Sequence, residues 1–145
     1  TEKRIQIAAF IVCALICAGC GSAAPPSGDN GVTAGNDSQI DRAFENGASD
    51  VQVEGEGVVT RILPDDLDGS RHQRFIVRLA SGRTVLISHN IDLAPRVNAL
   101  REGDRVSFYG EYVWSEEGGK FHWTHHDPRG KHVAGWVKHK GRMYQ

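Results

Sequence analysis

Between residues 57 and 126, apolar side chains return at every second position in five successive stretches, each closed by turn-forming or helix-entering residues. A period of two suits strands with one buried face and is wrong for an amphipathic helix. The first strand is expected from about Gly57 to Leu63. The second runs over Gln73 to Ala80, where Phe75, Val77 and Leu79 share a face, and Ser81-Gly82 turns it into a third, Arg83 to His89. Leu93, Val97 and Leu100 are expected on one side of a helical segment entered at Pro95 and stopped by Gly103. A fourth strand follows over Asp104 to Trp114, and Gly118-Gly119 turns it into a fifth, Lys120 to His126.

Three strands, a helix and a two-stranded hairpin are the element order of the OB-fold, and Glu102 to Gly110 resembles its fourth-strand entry. The expected fold is mainly β: a small five-stranded OB-like antiparallel barrel with short helices and a C-terminal extension. Upstream, Asp37 or Ser38 is placed to cap a helix through Asn46, with Ile40 and Phe44 one turn apart and Gly47 as its stop. With 145 residues, 39% apolar and 24% charged, the chain suits one small domain and excludes a multidomain enzyme. A net charge of -1 gives no global pull toward nucleic acid or an anionic surface.

The first twenty residues are a separate object. Lys3 and Arg4 precede an apolar run from Ile5 to Ala18, short for a membrane span and suited to a signal-peptide core. The run ends in Ile16-Cys17-Ala18-Gly19-Cys20, which resembles a bacterial lipobox, although Cys17 stands where an aliphatic residue is usual. The resemblance implies diacylation of Cys20 after removal of residues 1–19. The alternatives are an ordinary signal cut near Ala24 or an uncleaved anchor. Cys13 and Cys17 would leave with the signal and Cys20 would carry lipid, so the mature domain would hold no disulfide. Ser22 rather than Asp after the lipidated residue implies, by the same resemblance, an outer-membrane lipoprotein facing the periplasm of the cell envelope. Residues 20–37 hold one bulky aliphatic side chain, Val32, and are expected to be a flexible tether to a single OB-like domain over 38–145.

Chemistry concentrates in seven histidines, all between His72 and His139, three of them in Phe121-His122-Trp123-Thr124-His125-His126-Asp127. On a straight strand His122 and His126 share a face about 13 Å apart and His125 faces away, so a metal would need ligands from other segments. His89 and Asp92 with His126 or His132 would be such a set. No cofactor and no resident metal follows from the sequence. Asp65, Asp66, Asp68 and Gly69 lack the remaining ligands of an EF-hand and read as a solvated loop. Those acids, with Glu116 and Glu117, occupy the loops through which OB-folds hold nucleic acid, which argues against such a partner. The basic residues Arg129, Lys131, Lys138, Lys140 and Arg142 read first as a solvated last hairpin. Trp114, Trp123 and Trp136 read first as packing.

The strings LPDDLDGSRHQRFIV, ISHNIDLAPRV, GDRVSFYGEYVW and HWTHHDPRGKHVAGWVKHKGRMYQ resemble the bacterial family catalogued as domain of unknown function 3465, over about residues 55 to 145. The resemblance implies an exported or lipoprotein domain and carries no activity with it. The expected function is a lipid-anchored envelope protein whose barrel binds a polar ligand or partner near the fifth strand. The alternative is a hydrolase of phosphodiesterase or nuclease type, possibly metal-assisted. In it His89, His125 or His126 would be the base, Asp92 or Asp127 its orienter, and Arg74 or Arg129 the clamp on the anion. The candidate site is therefore His89, Asp92, His122, His125, His126, Asp127 and Arg74.

Overall fold

The computed structural model describes residues 34–145; the expected signal peptide, Cys20 and most of the expected tether lie outside the described residues. Helix α1 (Ala34–Glu45) is followed by strands β1 (Val51–Ile62), β2 (His72–Leu79), β3 (Thr84–Asn90), β4 (Arg105–Val113) and β5 (Lys120–His122). A last hairpin pairs β6 (Trp136–His139) with β7 (Arg142–Tyr144). The order β1-β2-β3-β5-β4, with β4 returning to β1, makes a closed five-stranded barrel. It is a mixed barrel and not the antiparallel one expected. Neighbours in a ring of five cannot alternate in direction all the way round, so at least one pair must run parallel. Here that pair is β3 and β5, joined only at Leu86–Lys120 and Ile87–Phe121.

β1 starts six residues earlier than its expected Gly57 because two glycines hide the alternation. Val53, Gly55, Gly57 and Val59 all sit at inward positions. A Cβ on Gly55 would come within 2.7 Å of both Ile40 Cδ1 and Phe108 Cζ, so the missing side chain makes room for the helix above and the ring below. The first half of β1 pairs with β4 and the second half with β2, across a register shift between Val59 and Arg61. Inside the ring lie Phe75, Val77, Val85, Ile87, Val106, Phe108, Tyr112 and Phe121, all buried. Phe108 and Phe121 meet edge to face with centroids 4.7 Å apart.

Three local expectations change. The helix begins at Ala34, inside the expected tether, and Asp37 does not act as its cap. The Asp37 carboxylate accepts instead from the Ala80 amide at 3.0 Å, fastening α1 to the β2–β3 turn. Residues 95 to 103 form turns rather than a helix. The Gln73 side chain takes up both backbone groups of Val97, accepting from its N–H at 2.9 Å and donating to its carbonyl at 3.2 Å. Val97 is buried there, and Leu93 before it is turned outward. Finally β5 ends at His122, four residues short of its expected end, because Trp123 takes a left-handed conformation with φ of 53°.

The edge of β4 left open where β5 stops is taken over by β6, from Val106–His139 to Tyr109–Trp136. The basic C-terminal segment is thus a hairpin continuing the barrel wall. Lys140 lies 3.5 Å from Asp104, and Arg142 stacks over Tyr144. Among the described residues no helix is long and apolar enough to cross a membrane.

Candidate functional site

The turn at Trp123 builds the site. Once the chain leaves β5 it doubles back over β4, and two glycines allow the crossing. A Cβ on Gly110 would meet the His122 carbonyl at 2.5 Å and Thr124 Cγ2 at 2.8 Å, and one on Gly135 would collide with the carbonyl oxygens of Trp123 and Tyr109. The Gly135 amide donates to the His125 carbonyl at 2.9 Å, tying off a loop over residues 123 to 135. Asp127 organises that loop from within. Its carboxylate accepts from the amides of Arg129, Lys131 and His132 at 2.9, 2.7 and 2.8 Å, and these bonds, the one from Arg129 foremost, lower its pKa.

Between this loop and the ends of β2 and β3 opens a cleft of about 810 Å³. His72 and Asn90, paired at the far end of the β2–β3 hairpin, form one wall with Asp92 and Leu93. His122, Trp123, His125, Asp127, Pro128, Arg129, Lys131 and His132 form the other. The rings of His72 and His122 face each other edge to face at 6.5 Å. Trp123 stacks flat on His132, with centroids 4.0 Å apart and planes 9° off parallel, and lies 5.3 Å from His125.

The imidazoles carry different charges because their surroundings differ. His132 places Nδ1 against the Val133 carbonyl at 2.9 Å and Nε2 against the Glu111 carboxylate at 2.8 Å. Only the doubly protonated ring satisfies both acceptors. Desolvation is the largest single influence and lowers its pKa, yet the Glu111 and Val133 hydrogen bonds and the nearby acids together outweigh it and raise the value. His122 is pushed down to about 4 by burial, helped by the charges of Lys120 and His72. Burial likewise lowers His125, whose Nδ1–H donates to the His126 carbonyl at 2.8 Å and leaves Nε2 as an acceptor.

The sequence-expected residues separate into two groups. Asp92, His122, His125 and Asp127 line the cleft. His89, Arg74 and His126 do not. His89 is fully buried, with Nε2–H donating to the Pro95 carbonyl at 3.2 Å and Nδ1 accepting from the Thr124 hydroxyl at 2.9 Å. Burial drives its pKa down to about 4, so it is a neutral strut between the β3–β4 connection and the returning loop. Arg74 donates to the Pro64 carbonyl at 3.1 Å, and His126 is exposed. Asp92 is held by Arg71, which donates from its side chain at 2.6 Å and its amide at 2.7 Å; the amide bond is the main reason its pKa falls.

Sequence patterning does not mark His72, Asn90 and Glu111 as site residues, and it marks Trp123 as packing. A signal for the first two existed, since His72 and Asn90 lie nine residues to either side of Ser81 and pair if the hairpin register is counted outward. No three His, Cys, Asp or Glu side chains among the described residues converge on a point that could hold a metal ion. Asp65 pairs with Arg96, and Asp66 accepts from the Asp68 amide, so the acidic loop holds itself.

The family model described as "Protein of unknown function (DUF3465)" matches residues 27–145. No curated protein matches the chain, and no solved structure does.

Proposed function

The chain belongs to the DUF3465 family, and from its own chemistry we propose a lipid-anchored cell-envelope protein that binds a small polar ligand in the cleft at the end of its barrel. The observation that carries this reading is the cleft itself, whose volume of about 810 Å³ suits a small molecule and whose walls bring together aromatic surface and imidazoles. The barrel is read as an OB-fold on its ring order and its parallel β3–β5 pair. OB-folds commonly present ligands to the same end, where the β1–β2 connection meets the strand faces. The anchor reading is supported by Lys3, Arg4, the apolar run and Cys20, and the outer-membrane part of it by Ser22 in place of an Asp.

The hydrolase reading ranks lower on geometry. A general base needs an orienting carboxylate, and Asp92 is occupied by Arg71 while Asp127 is occupied by its own loop amides. His122 and His125, with lowered pKa values, are weak bases at neutral pH.

The test labels histidine with nitrogen-15 and follows the imidazole resonances while pools of small polar metabolites are added. Saturable shifts confined to His72, His122, His125 and His132 are the expected result. Saturable binding that leaves all four unmoved would refute the cleft as the site. In the same strain, Cys20→Ser should abolish incorporation of labelled fatty acid and release the chain from membranes.

A further inference from the structure

We infer that the ligand of this cleft is an organic oxyanion, a phosphate or carboxylate group carried on an apolar or aromatic body. The inference rests on the binding reading above and narrows the ligand class. It follows from which hydrogen-bonding groups in the cleft are already occupied. The acceptors are. Both oxygens of Asp92 receive hydrogens from Arg71, and both oxygens of Asp127 receive hydrogens from amides of its own loop. Asn90 Oδ1 accepts from the amides of Asp92 and Leu93 at 2.9 and 3.3 Å. The donors are open. His72 and His122 line the cleft, and their rings form no hydrogen bond among the described residues. Imidazole N–H groups left unengaged beside engaged carboxylates fit an acceptor-rich guest.

Charge points the same way. Asp92 is neutralised by Arg71, and His132 by Glu111. Asp127 remains, against Arg129 and Lys131, whose side chains have no ion-pair partner among the described residues. Arg129 and Lys131 therefore outnumber Asp127 by one at the cleft. Asp127 accepts from the backbone amides of both of these residues as well as from that of His132, so the carboxylate sets the shape of the loop that carries both cations. The volume is far larger than an inorganic anion fills, and Leu93, Pro128 and Trp123 supply apolar wall for the rest of the molecule.

The oxyanion could arrive on a soluble metabolite or as a phospholipid headgroup, and the experiment separates the two. Phenyl phosphate, benzoate, benzyl alcohol and benzylammonium are each titrated into the full chain, with imidazole shifts and Trp fluorescence as readouts. Phenyl phosphate and benzoate should shift His72 and His122 saturably, at least tenfold more tightly than the alcohol or the amine. The double variant Arg129→Gln/Lys131→Gln should weaken both anions by tenfold or more with the thermal midpoint unchanged. Glycerol phosphate in solution and phosphatidylglycerol in bicelles form the last arm. A preference for bicelles identifies the headgroup, a preference for the free ester identifies a soluble ligand, and either sustains the inference. If the alcohol or the amine matches phenyl phosphate at the same imidazoles, the oxyanion class is wrong and the cleft still binds. If neither anion binds, the inference also fails. If the anions bind with His72 and His122 unmoved, the cleft reading fails with it.

Discussion

Acidification should destabilise this protein well before its carboxylates protonate, and His89 sets the size of the effect. In the unfolded chain its imidazole titrates near 6.5, whereas burial in the fold holds it at about 4. Between those values the unfolded state binds a proton that the folded state refuses, so stability rises with pH through that window and falls as pH is lowered. At about 1.4 kcal/mol per pH unit, the window amounts to on the order of 3 kcal/mol from His89 alone. His122 and His125, also lowered by burial, act in the same direction. His132 acts oppositely and elsewhere: its raised value contributes stability that is complete below 6.5 and is lost as pH climbs through the folded value. Urea unfolding at about pH 7.5, 6 and 4.5 should show stability falling by roughly 2 to 3 kcal/mol over the acid half of that range. His89→Asn should start less stable, by about 1 to 3 kcal/mol for the disturbed Pro95 and Thr124 bonds, and should lose less on acidification. Equal stability at the two ends of the acid half, or the same slope in the variant, would refute the assignment of His89 as a buried neutral strut.

Two substitutions test how the site is built and what it stands on. Gly135→Ala places a methyl group against the Trp123 and Tyr109 carbonyls and 2.9 Å from Thr124 Cα, all backbone. It should cost about 3 kcal/mol, lower the midpoint by roughly 10 °C and disperse the His122 and His125 resonances; an unchanged melting curve would show that the loop crosses β4 elsewhere. Leu79→Ala, at a site 3% exposed inside the barrel, should cost about 2 to 5 kcal/mol in equilibrium unfolding and leave the cleft's imidazole spectrum native. A cost below about 1 kcal/mol would contradict the inward register of β2.

The barrel was legible because alternation is a local property. Phe75, Val77 and Leu79 point inward wherever β2 sits, and the Ser81-Gly82 turn fixes its pairing with β3. What escaped depended on contacts between distant segments. The stretch after Pro95 carries a helical spacing, and side chains from β2 and β3, Gln73 on Val97 and His89 on Pro95, take up its backbone groups instead. Val51 to Glu56 looked unlike a strand because one of its two inward positions is Gly55, whose purpose becomes visible only with Ile40 and Phe108 in place. In the site, HWTHHDP looked like a continuing strand, and straight-strand geometry kept His122 and His125 apart. The left-handed Trp123 put both on one cleft, a conformation that no residue preference announces in tryptophan. His89 and His126 carried the same side chain as their neighbours, and burial alone distinguished a strut from a solvent-facing ring.

The two-residue contact between β3 and β5 is the narrowest join in the hoop, and parallel pairing is the less stable kind. Beyond Phe121 these staves part, and Asn90 at the end of one and His122 at the end of the other both line the cleft. A guest that touches both would act as a clasp, completing by its own contacts a closure the backbone leaves short. Occupancy and hoop integrity would then be one equilibrium, and the protein's resistance to unfolding would report the concentration of whatever it binds.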